Sequence, residues 1–399
     1  MMILRYLCGI GLTLVLMACG GGGGGGSTAA APVIPSTPGA IPPYEYSPPE
    51  DIQDGWPVSK LEDQQLDTDR ITRTVDRMVQ GELEGIDAIA IARRGELVLV
   101  ERFARELDQF DQWIGNRDPE RHVLHSASKS FTSALIGIAI DQGYFGGTEV
   151  PYLQVFDYAS YDNNDPRKAN ITLEDVLTMR LGIEWDEWSE PYTSNRNDLV
   201  ALTQQYQDWT KALLDRPMAA QPGTVYAYNT AATNSLCDAL SQVTGMSTDE
   251  FSARFLFEPL QMSSALWDNT PTGHCVGGSG LFLTARDMAK FGQLFLDDGQ
   301  WQGQQIISAD WVERSVTRAV DFSGQYTSGY GYQWWLGEFR EGSRRYPFYF
   351  ANGYGGQNLV VIEELELVVA IFAQNYENNL HWLPQQIIER DIIPAVLDR

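Results

Sequence analysis

The chain has 399 residues, 43% of them hydrophobic and 11% aromatic, enough to bury one large core or two modest ones. Its formal net charge of -25, from 53 acidic and 28 basic side chains, argues against nucleic acid as a partner and against electrostatic attraction to anionic lipid. The acidic residues are scattered, which reads as a solvated surface. The four cysteines (Cys8, Cys19, Cys237 and Cys275) include no Cys-x-x-Cys pair, and His122 with His125 is the only close histidine pair, so no metal site is expected.

Residues 1–18 carry Arg5 and then an apolar run from Leu7 to Met17, too short for a comfortable membrane span and shaped like a secretory signal. The run ends Leu16-Met17-Ala18-Cys19-Gly20, which resembles a bacterial lipobox. That resemblance implies cleavage before Cys19 and a lipid anchor on Cys19, hence a lipoprotein of the bacterial cell envelope facing the periplasm. An ordinary signal peptide with an incidental cysteine is the plainer alternative. Gly20 to Gly26 is unbroken glycine, followed by a Pro-, Ala- and Ser-rich stretch to about Glu50. Such a composition makes no core, so residues 19–50 read as a tether and residues 51–399 as the folded domain.

Asp67 to Gln80 is predicted to be a helix, with Ile71, Val75 and Met78 on one face. Ile86 to Ala92 and Leu97 to Phe103 are β-rich runs joined by the hairpin signal Arg93-Arg94-Gly95-Glu96. In the next stretch, from His125 to Ile140, Phe131, Leu135 and Ile138 recur at helical spacing and predict a buried amphipathic helix. Ser126 and Lys129 fall in its first turn, three apart, and share a face. A lysine turned inward loses hydration and its pKa falls, and a neutral amine beside a serine hydroxyl makes that serine nucleophilic. The helix N-terminus adds free N–H groups suited to an oxyanion. A polar turn with an exposed lysine is the simpler reading. The chain has only five lysines, however, and no other has a serine three residues before it.

Residues 151–275 read as a mostly helical insert in an α/β body of about 55–150 and 276–399. A threonine-capped helix starts at Ile171-Thr172-Leu173. Trp185, Trp188 and Tyr192 sit in an irregular segment, where they either line a pocket or fill a core. Pro222 to Thr230 is a turn leading into Tyr228 and then a helix; a phenol near a lysine can carry a proton to a leaving group. Beyond Gly280 come a strand at Leu281–Leu283, a helix at Ala285–Leu296, a strand at Tyr330–Leu336 and a β-pair, Leu359–Ile362 with Leu367–Phe372. A helix from about Pro384 closes the chain. The glycines of Ala351-Asn352-Gly353-Tyr354-Gly355-Gly356-Gln357 permit a close backbone approach and a strand-edge N–H donor, though a plain hairpin loop would look the same.

Six blocks in order now carry a resemblance: 125–135, 171–183, 222–230, 280–292, Tyr330-Gly331-Tyr332-Gln333-Trp334-Trp335, and Gly353-Tyr354-Gly355-Gly356-Gln357. Together they resemble the β-lactamase-related serine hydrolases, which include class C β-lactamases, D-alanyl-D-alanine peptidases and family VIII esterases. The 6-aminohexanoate-dimer hydrolase branch is the most similar. The resemblance covers about residues 60–395. It implies the β-lactamase/transpeptidase fold, an α/β (α+β) arrangement of an antiparallel sheet flanked by helices plus a mostly helical subdomain. It also implies Ser126 as acyl-accepting nucleophile, Lys129 as its base and Tyr228 as proton shuttle, with oxyanion donors at the backbone of Ser126 and Tyr354. No cofactor is implied. Trp185, Trp188, Tyr192, Asn229, Gly353 and Gly355 are the candidate substrate-binding residues.

Two departures matter. Threonine stands in Tyr228-Asn229-Thr230 where the family's Tyr-x-Asn motif has asparagine, and Ala351-Asn352-Gly353 or its neighbours replace the Lys-Thr-Gly strand. Without that lysine a β-lactam or peptide carboxylate loses its cation, so antibiotic hydrolysis is expected to be weak or absent. The expected substrate is a small-molecule ester or amide. Lactams or D-Ala-D-Ala peptides form the second reading, and a non-catalytic binding protein on the same fold the third. A Gly-x-Ser-x-Gly elbow is absent, because Gly277-Gly278-Ser279-Gly280-Leu281 lacks the last glycine. A Cys237–Cys275 disulfide and two buried thiols remain equally open, as does the oligomeric state.

Overall fold

The computed structural model describes residues 41–399 apart from Ala104, Ile114, Glu377 and the side chain of Trp113. The expected signal segment, Cys19 and the glycine run lie outside the described residues. Strand β1, Ile86–Arg93, explains the architecture. Its Ala88, Ala90 and Ala92 join one apolar cluster and its Ile86, Ile89 and Ile91 another. Successive side chains of a strand point to opposite faces, so this strand is buried on both sides.

Strand β2, Glu96–Arg102, folds back on β1. The remaining strands of the sheet come from the far end of the chain. They are β3 (Val320–Asp321), β4 (Gly329–Tyr330), β5 (Trp335–Glu341), β6 (Arg344–Gly353), β7 (Gln357–Ile362) and β8 (Leu367–Ala373). The spatial order is β2-β1-β8-β7-β6-β5-β4-β3, antiparallel throughout. In β8 the alternation repeats, with Val368, Ala370 and Phe372 on one face and Leu367, Val369 and Ile371 on the other. Helix α1, Thr68–Val79, and the C-terminal turns cover the second face.

The first face carries α2 (Ser128–Asp141), on which α3 (Thr230–Thr244) packs, and α4 (Ala285–Leu296). The rings of Phe131 on α2 and Phe291 on α4 stack 3.8 Å apart. Helix α2 is buried as expected, but on every face and not on one stripe: every residue from Ser128 to Ala139 is buried. Three of its polar side chains are spent on tertiary bonds. Ser128 accepts from the N–H of Leu281, Ser130 donates to the carbonyl of Gln333, and Thr132 donates to that of Gly277. Polar groups at these buried positions cost little because they are paired.

Other expectations shift. The strand expected over Tyr330–Leu336 is broken into β4 and β5 by a turn in which Gln333 has φ +63°. The long hairpin β5–β6 carries its own register, Trp335 to Phe350 through Glu341 to Arg344, and was not foreseen. The closing helix is short, Leu383–Ile387, and continues as π and 3-10 turns. The body also begins before Asp51. Tyr44 donates to Glu101 and Tyr46 to the carbonyl of Val98, so residues 42–50 lie on the domain and are not tether. Cys237 and Cys275 are free, buried thiols. Among the described residues no helix is long and apolar enough to cross a membrane.

Candidate active site

The position of Ser126 is fixed by a backbone reversal. A two-residue strand, His122–Val123, pairs with Leu281–Leu283, and the chain then turns at His125, whose φ is +46°. That is the left-handed region, which a side chain bearing Cβ rarely occupies unless its surroundings hold it. Here the buried imidazole packs edge-on against Phe110, Tyr354 and Tyr376, at 4.6, 5.7 and 5.7 Å. Ser126 therefore sits in a 3-10 turn, His125–Ala127, ahead of α2 and not in its first α-turn as expected. From the other side the end of β6 presses on this turn. A Cβ on Gly353 would lie 2.0 Å from the carbonyl oxygen of Leu124.

Lys129 is only 2% exposed, which ends the surface reading. Its Nζ lies 3.2 Å from Ser126 Oγ, 2.9 Å from Thr230 Oγ1 and 2.7 Å from the carbonyl oxygen of Gly278. Asn234 of α3 holds that carbonyl's residue in place through the Gly278 N–H. Burial lowers the Lys129 pKa to about 7, against a smaller opposing pull from Glu187. Tyr228, at the entrance to α3, brings its hydroxyl near Ser126, and Lys129 Nζ lies 4.8 Å over its ring. Burial holds its phenol well above the ordinary range, Glu187 adds to this, and the Ser126 hydroxyl opposes it. The phenol is therefore neutral at physiological pH. Serine, lysine and tyrosine converge.

Glu187 was missed. It is 3% exposed and accepts from the Thr230 N–H at 2.7 Å, from the Thr230 hydroxyl, from Trp185 Nε1 at 3.0 Å and from the Tyr192 hydroxyl at 3.0 Å. The sequence offered an acidic residue between tryptophans, Trp185-Asp186-Glu187-Trp188, but nothing in that pattern distinguishes a buried carboxylate from its solvated neighbour.

The candidate binding residues divide. Trp188 is exposed and stacks on Tyr228, and Trp335 of β5 lies parallel beyond them, 6.1 Å from Tyr228. Tyr192 is 40% exposed and meets Tyr354 edge-on at 5.8 Å. Through Tyr228 and Tyr354, which contact Lys129 and His125, these rings neighbour the turn that carries Ser126. Trp185 instead belongs to the core, with Arg216 over its ring at 5.2 Å, and is corrected to a support for Glu187. Asn229 is corrected to a cap: its side chain accepts from Ala232 N–H and starts α3. Gly353 and Gly355 permit close packing, against Leu124 and against the Tyr376 ring, and Gly355 needs φ +82°.

The pattern of the family described as Beta-lactamase matches residues 71–381, more than three-quarters of the chain. The chain belongs to the beta-lactamase family. Among members of known sequence it is similar to 6-aminohexanoate-dimer hydrolase of Paenarthrobacter ureafaciens, at 25% identity over 66% of this chain and 69% of that one. Among solved structures, a penicillin binding protein from Bacillus halodurans superposes with a TM-score of 0.59 at 16% identity, covering 78% of this chain and 98% of that one. EstCE1, a hydrolase with promiscuous acyltransferase activity, gives 0.61 at 14% identity, covering 84% and 100%. At these identities the structural likeness is one of fold. The family is one of β-lactamase-fold serine hydrolases, and this member has the 6-aminohexanoate-dimer hydrolase branch among its relatives.

Proposed function

We propose that this protein hydrolyses small esters or amides through an acyl-enzyme on Ser126. The observation that carries the reading is a buried lysine amine 3.2 Å from a serine hydroxyl. With its pKa near 7, Lys129 is substantially neutral at neutral pH, and its lone pair accepts the Ser126 proton as Oγ attacks the carbonyl carbon. The carbonyl electron pair moves onto oxygen, which the N–H groups of Ser126 and Tyr354 receive. The Leu124–Gly353 contact supports that pairing by fixing the end of β6 against the nucleophile's turn. As the tetrahedral species collapses, Tyr228 protonates the departing alcohol or amine and regains a proton from Lys129. Water then attacks the acyl-Ser126 ester and passes its proton to the same pair, which returns it to Ser126 Oγ as the bond to the acyl carbon breaks and the acid leaves.

The rings of Trp188, Tyr192 and Trp335 support an apolar or linear substrate. The name of the relative, 6-aminohexanoate-dimer hydrolase, supports trying a linear amide. Lactams and D-Ala-D-Ala peptides are the second reading, favoured by the family and opposed by Ala351-Asn352-Gly353 where the cationic strand would lie. The lipobox-like Leu16-Met17-Ala18-Cys19 supports a lipoprotein held on the periplasmic face of the envelope. The test compares the purified chain with its Ser126→Ala variant on short p-nitrophenyl esters, a 6-aminohexanoate linear dimer and nitrocefin. Ester or amide turnover lost in the variant is the expected result. Nitrocefin turnover alone would move the assignment to the second reading, and no Ser126-dependent turnover would leave the binding-protein reading.

A further inference from the structure

A lysine can serve as a base for Ser126 only if its lone pair, and not an N–H bond, points at the hydroxyl. Two of its three substituent directions on Nζ are taken. The Gly278 carbonyl is an acceptor only, so Lys129 must donate to it. Thr230 Oγ1 is ambiguous by itself, because a hydroxyl both donates and accepts. Glu187 removes the ambiguity. Its carboxylate collects the Thr230 hydroxyl, the Thr230 N–H, Trp185 Nε1 and the Tyr192 hydroxyl, and offers nothing in return. The Thr230 proton is thereby committed to Glu187, and its lone pair must accept from Lys129. With both N–H bonds of the neutral amine so used, the remaining direction faces Ser126.

Resting on the serine-hydrolase reading, we infer that Glu187 is the positioning residue of this site: acting through the Thr230 hydroxyl, it aims the Lys129 lone pair at Ser126 and counterbalances the lysine charge. Glu187 bonds Thr230, Trp185 and Tyr192 and makes no bond to Ser126; it works through another side chain. The titratable groups facing the pair are Tyr192 and Tyr226 from the loops, Tyr228 ahead of α3, Tyr330 of β4 and His125 ahead of α2. Burial keeps the four phenols protonated and the imidazole neutral. Lys129 is thus the member of this group that gains or loses its proton near neutral pH, with the Glu187 carboxylate as its partner through Thr230. Threonine in place of the motif asparagine acquires a reason: a hydroxyl has one proton, and once that is given to Glu187 the same oxygen can only accept from Lys129.

The test follows the rate at which an alkyl fluorophosphonate labels Ser126, forming the Oγ–P bond and releasing fluoride, across about pH 5 to 10. In the wild type this rate should rise through an acid limb near pH 7. Glu187→Gln can turn an amide N–H toward Thr230 and withdraws the negative charge. Its plateau should fall about tenfold to a hundredfold, and its limb should move to lower pH as Lys129 gives up its proton more readily. Thr230→Ser should retain the wild-type limb and most of the plateau, and Thr230→Val should lose the plateau. A folded Glu187→Gln protein with wild-type plateau and limb would overturn the inference. If that variant does not fold, Thr230→Val decides: labelling at the wild-type rate overturns it equally. Failure to label Ser126 in the wild type at any pH would instead remove the serine-hydrolase reading underneath, which turnover of the ester panel checks independently.

Discussion

The indole of Trp188 lies on the ring of Tyr228, centroids 5.0 Å apart and planes within 21°, although 56% of Trp188 remains exposed. A large aromatic left in water beside the candidate proton shuttle offers an apolar surface to whatever enters. Replacing Trp188 with alanine should raise KM for long-chain p-nitrophenyl esters about tenfold while changing the acetyl ester much less. An equal change on every ester, confined to kcat, would mean that Trp188 serves only to desolvate Tyr228.

Lys129 gives the site a pH dependence with a definite sign. Its protonated form cannot accept from Ser126, so kcat/KM should climb as pH rises through about 7. Lys129→Ala should lose about a hundredfold to ten-thousandfold in kcat/KM. Lys129→Arg should fare no better, because a guanidinium keeps its proton throughout this range. A flat profile between pH 5 and 9 in the wild type, to within about twofold, would sink the assignment of Lys129 as base.

Gly353 should tolerate no side chain. The obstructing atom is the Leu124 backbone carbonyl, 2.0 Å from the ideal Cβ, and backbone cannot swing aside as a long side chain would. Gly353→Ala should cost about 1–3 kcal/mol of stability and more than tenfold in activity, because relief requires moving the turn that carries Ser126. Thermal melting and ester turnover on the same preparation measure both. By contrast, Gly342 in the β5–β6 turn has open space around it, and the cost of an alanine there should come from its φ of +62° alone, without loss of turnover per folded molecule.

Asp87, in β1, is buried beside the neutral His122, with 3.8 Å between Oδ2 and Nδ1. Burial raises its pKa to about 7, against the pull of the Arg105 guanidinium. A folded-state pKa above the unfolded one means the folded chain holds the proton more tightly. The contribution is complete below about pH 4 and is lost as pH rises through about 7. Asp87→Asn should therefore leave the melting temperature higher than wild type above pH 7, with the gap closing toward pH 4. A gap that widens on acidification would reverse the assignment.

Much of this was legible from residue pattern because the pattern and the burial agreed. The β-rich run from Ile86 to Ala92 made β1 visible, and the apolar face of Ala285–Leu296 gave α4 its observed limits. Ser126 with Lys129 could be paired on spacing alone, even though the turn holding the serine is 3-10. What stayed hidden depends on partners distant in sequence. Glu187 reaches Thr230 across 43 positions, and Lys129 reaches the Gly278 carbonyl across 149. Local pattern carries no signal for such meetings. The hairpin β5–β6 escaped for a different reason: its charged rim, Glu338, Arg340, Arg344 and Arg345, reads as surface loop, although Phe339, Tyr346 and Phe348 pack beneath it.

The lead-in chain bears on how the domain can be handled. Strand β2 ends the sheet, and its free edge is partly closed by residues 57–59, through bonds from Ser59 N–H to Leu97 and from Leu97 N–H to Pro57. Tyr44 and Tyr46 extend that cover to Glu101 and Val98, and Asp54 fastens the segment to Arg286 and Lys290. An unpaired strand edge is a template on which other copies assemble. Trimming the chain at residue 51 would remove both tyrosines and bare the outer part of β2, so a soluble, monodisperse fragment has to start no later than Pro42. The boundary that matters for purification is thus set by which residues sheathe the sheet, nine positions before the composition changes from spacer to domain.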